Sequence, residues 1–169
     1  MVGHLMALAA RTAPKALGQD YLALRVVDGP ELDRLAGEMA AYGAETGKKD
    51  WDRDGDNIRR SDAVLLIGLA DPKTAGLNCG ACGVSRCEDL ARREGPEFAG
   101  PVCAWRLIDL GIAAGSAVKT ASILNVDNRV MYRVGVAARR LGLIQADIAL
   151  GIPLSATGKN IYFDRAPKT

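Results

Sequence analysis

Ala63-Val64-Leu65-Leu66-Ile67-Gly68-Leu69 is the stretch on which the fold turns. Seven apolar residues in a row are too few to span a membrane, and they carry no helical period. A strand covered on both faces reads this way, because neither of its alternating side-chain sets meets water. The stretch therefore predicts a central strand with a layer on each side. Upstream, residues 21–27 alternate weakly and predict a second strand. Downstream, residues 146–152 predict a third, with Pro153 as its stop or as the mark of an edge. Residues 160–163 predict a last one.

Helical spacing accounts for much of the remainder. Residues 4–11 predict a first helix, broken by Thr12-Ala13-Pro14. Asp28-Gly29-Pro30 is turn chemistry, with Pro30 suited to a helix's first turn. Leu32, Leu35, Ala36, Met39 and Tyr42 then recur on one helical face. Residues 43–56 are polar and predict a loop leading to a short helix at 57–60. A short helix is expected at 88–93 and a long one at 105–124. The long one is rich in Ala and Gly, so something packs closely against it. Another is expected at 129–141, with Val130, Val134, Ala137, Ala138 and Leu141 inward. The order of elements predicts an α+β layered domain with a central antiparallel or mixed sheet flanked by helices. At 169 residues the chain makes one domain, residues 1–169.

Composition excludes several classes of function. Lys plus Arg number 22 against 20 Asp plus Glu, a formal charge of +2 that calls for no polyanionic partner. Aromatic residues are 5% of the chain and are not interleaved with basic ones, so no nucleic-acid partner is expected. No apolar run reaches membrane-span length. Residues 1–10 lack the basic start of a signal peptide and read as an amphipathic helix. A cytoplasmic protein is expected, and in that compartment clustered cysteines bind metal more often than they pair.

All four cysteines fall within residues 79–103, spaced C-x2-C-x4-C-x15-C as Cys79, Cys82, Cys87 and Cys103. Cys79-Gly80-Ala81-Cys82 lets two thiolates converge from one tight turn, and Gly80 and Gly83 permit unusual dihedrals there. Cys87 reaches a third position and Cys103 returns from a distance. One cysteine per iron makes a [4Fe–4S] cluster the reading this spacing favours, and with it electron transfer. Zinc also takes four cysteines, usually as two C-x2-C pairs, and the second pair is missing here. A zinc-stabilised interaction protein without redox activity is the rival; disulfides or free thiols are the third reading. The four-cysteine motif is assigned to residues 77–103.

With those residues in view, Asn78-Cys79-Gly80-Ala81-Cys82-Gly83, Cys87 and Cys103 resemble the short [4Fe–4S] domain of membrane electron-transport complexes and of corrinoid iron–sulfur proteins. The chain as a whole resembles a family of small prokaryotic proteins described as containing a ferredoxin domain. That likeness is carried by residues 11–16, the cysteine run, Asp109-Leu110-Gly111-Ile112-Ala113, Asp127-Asn128-Arg129, and Gly151-Ile152-Pro153-Leu154-Ser155 on to Phe163-Asp164-Arg165. Its organisation outside the cysteines resembles the flavin-dependent nitroreductases. An Arg and an Ala-Pro stretch follow a first helix, and a central apolar strand, an Ala-rich helix beginning Asp-x-Gly and a Gly-x-Pro stretch follow in turn. That resemblance implies a homodimer with FMN at the subunit interface, a flavin-dependent reductase activity and an unidentified redox partner. It implies Arg11, Lys159 and Arg165 at the flavin phosphate, with Ala13, Pro14 and Lys15 near the ring. The chain departs from the nitroreductase pattern at its N-terminal Arg-x-Ser-x-Arg signature, which is absent; Lys15 stands where Ser is common. Surface ion pairs are the alternative for Arg11 and Arg165.

Other motifs carry less. Asp50-x-Asp52-x-Asp54-Gly55 begins like a calcium loop, but Ser61 stands where the closing Glu belongs. A solvated acidic loop is expected instead. Asp127-Asn128 reads as a helix N-cap before Arg129. His4, the lone histidine, joins no nucleophilic set. Trp51, Trp105, Tyr132 and Tyr162 read as packing residues, Trp105 also as a shield for the metal centre.

Overall fold

A computed structural model describes residues 1–163 of the chain. Helix α1 (Val2–Thr12) leads through a 3₁₀ turn at Ala16–Gly18 into strand β1 (Leu22–Asp28). Helices α2 (Pro30–Thr46) and α3 (Trp51–Arg59) precede strand β2 (Ala63–Leu69). After the cysteine loop come the short pair β3 (Arg93–Glu94) and β4 (Ala99–Gly100), then α4 (Ala104–Ile123). Strand β5 (Asp127–Asn128), helix α5 (Tyr132–Arg140) and strand β6 (Ile148–Ser155) follow. The main sheet runs β1-β2-β6-β5, antiparallel throughout.

Strand β2 is buried on both faces, as its unbroken apolar run requires. Val64 and Leu66 point into a core shared with α2, α3 and α5. Leu65, Ile67 and Leu69 point into a second core against α1 and α4. The five inward residues expected on α2, Leu32 through Tyr42, are all buried, and Pro30 opens the helix. Helix α5 meets β6 backbone to backbone. A Cβ on Gly135 would lie 1.9 Å from the Ala149 carbonyl oxygen, so only glycine fits.

Several expectations are corrected. The polar stretch 43–56 is helical: α2 continues to Thr46, closes on left-handed Gly47, and α3 starts at Trp51. Asp54 lies not in a solvated loop but 2% exposed, its carboxylate 2.9 Å from Arg53, 3.6 Å from Arg129 and in contact with Arg133. Two of those arginines come from the entry to α5, more than seventy residues later in the chain, so nothing local disclosed that the acidic stretch has internal partners. Asp127 and Asn128 form β5, opposite Ser155 and Leu154, rather than an N-cap. Pro153 sits inside β6. Gly151 exchanges N–H···O bonds with Met131, so position 153 faces the same side, in the gap between that bridge and β5. No ladder hydrogen bond is lost there. Residues 160–163 form no strand, 161–163 being bends, and the hydroxyl of buried Tyr162 bonds that of Ser61 at 2.9 Å. Residues 88–93 hold the end of a 3₁₀ turn (Cys87–Asp89) and the first residue of β3, not a helix. Among the described residues no helix is long and apolar enough to cross a membrane.

Candidate metal centre

The chain leaves the main sheet at Leu69 and, apart from a 3₁₀ turn and the short β3–β4 pair, stays irregular until Ala104, the first residue of α4. Between them the backbone is forced into tight turns by residues with positive φ: Gly76 (72°), Asn78 (47°), Gly80 (75°) and Gly83 (83°). Glycine adopts this region without a Cβ clash, and Asn tolerates it better than most. The Gly83 N–H closes the turn on the Gly80 carbonyl at 2.9 Å. The result brings Cys79, Cys82, Cys87 and Cys103 to the wall of one pocket, together with Leu77 and Trp105. All four are free thiols; Cys79 is exposed and Cys103 is 4% exposed.

Each sulfur is met by N–H donors. The Asn78 N–H approaches Cys87 Sγ at 3.4 Å, and the Ala104 N–H approaches Cys82 Sγ at 3.2 Å. The Ala81 N–H and the Trp105 indole draw the Cys79 thiol below its ordinary range. Burial works to raise Cys103, but the N–H groups of Ala75, Trp105 and Arg106 and the Cys82 side chain hold it down. Cys82 is pushed up: the Ala104 N–H lowers it, while burial and the thiols of Cys103 and Cys79 outweigh that. Three of these donors, on Ala104, Trp105 and Arg106, lie in the first turn of a 20-residue helix, where the Arg106 N–H also bonds the Cys103 carbonyl at 2.9 Å. A helix N-terminus favours negative charge, so α4 is a seat for thiolates.

Among the described residues no group of three or more His, Cys, Asp or Glu side chains is placed to hold a metal ion. The fit to a cluster therefore rests on the donor set and on the dipoles aimed at it, not on an ion-sized cage. Four thiolates with N–H donors at every sulfur suit a centre that is ligated by cysteine and tuned by hydrogen bonds to sulfur.

Behind the pocket lies a buried ion pair. Arg106 is 0% exposed and sits 3.1 Å from Asp109, one turn along α4. Its Nε donates to the Lys73 carbonyl at 2.9 Å and its Nη1 to the Ala16 carbonyl at 3.0 Å, while Nη2 bonds Gln19 Oε1. Its planar face lies over the Tyr21 ring, 4.8 Å from the centroid. Asp109 accepts the Ala16 N–H at 2.7 Å. Both backbone groups of Ala16 are thus fixed, and the next residue, Leu17, is 64% exposed with φ of 59°. A leucine in that region costs about 1–2 kcal/mol. The signal for this pair was present in the sequence, since Arg106 and Asp109 are the only charged residues between positions 104 and 118.

The cations assigned to a flavin phosphate are dispersed. Arg11 donates to Asp20 at 2.7 Å and to the Leu22 carbonyl at 3.0 Å, the ion-pair alternative for this residue. Lys15 Nζ donates to the carbonyls of Ala10, Arg11 and Ala13, closing the C-terminus of α1, and lies 3.8 Å from Asp20. These two share the Leu22 end of the sheet with the cysteine loop. Lys159 follows β6 out of the opposite end, on an exposed loop where the Thr157 hydroxyl donates to its carbonyl. Arg165 lies outside the described residues.

The family described as "Uncharacterized protein containing a ferredoxin domain" matches residues 99–165, a span that holds Cys103 and begins after the other three cysteines. An uncharacterized protein of Archaeoglobus fulgidus is 52% identical over 166 residues, 97% of this chain and 90% of its own. Among solved structures, nitroreductase CinD from Lactococcus lactis, in complex with nicotinic acid, is similar with a TM-score of 0.62 at 14% identity. The alignment covers 99% of this chain and 81% of that one. The FMN-dependent nitroreductase NfnB from Mycobacterium smegmatis, in complex with NADPH, gives 0.64 at 12% identity, over 99% and 83%. At such identities the likeness is one of fold, and the nitroreductase-like architecture expected from the sequence is the architecture of the chain.

Proposed function

We propose, from the premise that this chain belongs to the family of proteins containing a ferredoxin domain, that it is an iron–sulfur redox protein with Cys79, Cys82, Cys87 and Cys103 as ligands of a [4Fe–4S] cluster. One observation carries the reading: four cysteines from a loop and a helix N-terminus line a single pocket, each with an N–H donor at its sulfur. When bound, such a centre supplies one-electron transfer. The protein's part is to hold the thiolates, offset their charge with N–H dipoles, and keep water from the buried side. Buried Cys103 walls the pocket on the protein side, and the Trp105 indole donates to Cys79. Cys79 is the exposed edge at which a redox partner protein approaches. Free thiols suit a reducing, cytoplasmic setting.

Anaerobic purification and reconstitution with iron and sulfide test this directly. About four irons and four sulfides per chain, with a broad visible absorption lost on replacing any ligand by serine, are expected. About one zinc per chain and no colour would establish the structural-zinc alternative.

A flavin beside the cluster is the second reading, favoured by one observation. The strained Ala16–Gly18 turn, next to the Ala13-Pro14-Lys15 segment, is tied through Arg106 to the cysteine pocket. In that reading the protein is a flavin-dependent oxidoreductase with Arg11 at the FMN phosphate and Lys15 shaping the approach to the ring, while Lys159, at the opposite end of the sheet, does not join them within one chain. Extraction of FMN from denatured protein tests it. A homodimer accompanies both readings. Gly111 and Gly115 lie on an exposed face of α4 with open space above them, flanked by exposed Ile108 and Ile112. A second copy of the chain is the proposed cover.

A further inference from the structure

The buried pair of Arg106 and Asp109 is not needed to make a helix, and it sits between two irregular segments. We infer that Arg106 is a positioning residue that couples the four-cysteine pocket to the Ala16–Gly18 turn, so that filling the pocket orders Leu17. The inference rests on the cluster reading above.

The connection is continuous. On the pocket side the Arg106 N–H faces Cys103 Sγ, as does the N–H of Ala75, two residues after the Lys73 carbonyl that Arg106 Nε holds. On the turn side Arg106 holds the Ala16 carbonyl and Gln19 Oε1, and Asp109 holds the Ala16 N–H. The guanidinium fork can reach all of these at once because it is planar, rigid and fixed against Tyr21. A centre that ligates Cys103 fixes the first turn of α4 and residues 73–75 together. Both hold Arg106, and through it the turn is held. Leu17 and Gly18 stand in consecutive left-handed conformations, which persist only when their surroundings determine them.

Hydrogen exchange at the amides of Ala16, Gly18 and Gln19 reads the coupling, since all three are hydrogen-bonded: to Asp109, Lys15 and Ala16. The full chain is compared metal-free and reconstituted with iron and sulfide. Reconstitution should slow exchange at these amides by about tenfold in the natural protein, with β2 unchanged. Arg106→Lys, which keeps the charge but loses the fork, should reduce that protection to under about twofold. Gln19→Ala removes one arm at an exposed position and serves if the lysine variant does not fold. It should lower the protection at Gly18 and Gln19 to less than half. Loaded protein whose turn is no better protected than the metal-free form overturns the coupling and leaves the cluster reading standing. So does a variant that matches the natural protein. Protein that takes up neither iron nor sulfide overturns both.

Discussion

Asn78 grips Cys87 twice: its backbone N–H meets the sulfur at 3.4 Å, and its side-chain Oδ1 accepts the Cys87 N–H at 2.8 Å. The two residues are nine apart, Asn78 exposed and Cys87 half-buried, so this clamp ties the two ends of the loop that carries the first three cysteines. Its left-handed φ of 47° is what turns both groups toward Cys87.

Asn78→Gly keeps the backbone conformation and the N–H donor but removes the amide. It should lower the stability of the metal-loaded protein by about 1 kcal/mol. Asn78→Ala adds the left-handed penalty and should cost about 2 kcal/mol. Denaturant titration of the two variants in parallel separates the side-chain bond from the backbone strain. Equal losses would show that the backbone strain contributes nothing, and no loss in the glycine variant would show that the Oδ1 bond contributes nothing.

The thiols should differ in reactivity when no metal is present. Cys79 is exposed, and the Ala81 N–H and Trp105 indole hold it below the ordinary thiol range. Cys103 is also held down, but it is buried. Thiolate character and access must both be present for reaction. Alkylation of metal-free protein at neutral pH should therefore modify Cys79 first and Cys103 last, by peptide mapping. Reconstitution should protect all four. Trp105→Phe keeps an aromatic ring and removes the indole donor, and should slow alkylation of Cys79 by several-fold.

How far the sequence disclosed this molecule depends on where each signal is stored. Strand β2 was legible because burial on both faces leaves an unbroken apolar run. The inward face of α2 was legible because Leu32 to Tyr42 repeats at helical spacing against one core. The cysteine motif was legible from spacing, since Gly80 and Gly83 announce a tight turn. Helix α3 was not. Its inward Asp54 is neutralised by Arg129 and Arg133, more than seventy residues later, and a local window sees only acid. The role of Arg106 was hidden for the same reason, since its partners at Ala16, Gln19 and Lys73 belong to two other segments. Tyr162 was read into a strand because an isolated aromatic that plugs a core looks like one element of an alternating pattern.

That plug gives a pH dependence. Burial pushes the Tyr162 phenol far above its ordinary range, against the opposing bond from Ser61. Below about pH 10 both folded and unfolded chains keep the phenolic proton. Above it only the unfolded chain releases it, so stability falls as pH rises toward the folded value. Tyr162→Phe should cost about 1 kcal/mol at neutral pH and flatten the decline above about pH 10. Unfolding titrations at pH 8, 10 and 11 check both. A slope unchanged in the phenylalanine variant would assign the alkaline loss to other groups.

Two helix glycines should respond in opposite ways. Gly135 has no room: an added Cβ would lie 1.9 Å from the Ala149 carbonyl oxygen and 2.3 Å from its carbon. Both are backbone atoms of a central strand, so neither can swing aside. Gly135→Ala should then separate α5 from β6 and cost more than about 3 kcal/mol, by the same logic that makes overpacked cores unstable. Gly111 has nothing within 4 Å of the added atom, on a helix where glycine is about 1 kcal/mol less favourable than alanine. In an isolated chain Gly111→Ala should therefore stabilise. In a dimer packed through this face the same methyl group meets the partner helix, and Gly111→Leu meets it harder. Sedimentation should show the leucine variant as a monomer at concentrations where the natural protein is a dimer, with circular dichroism unchanged. A leucine variant that still dimerises would move the interface to another surface and leave the exposed stripe of Ile108 and Ile112 without a cover.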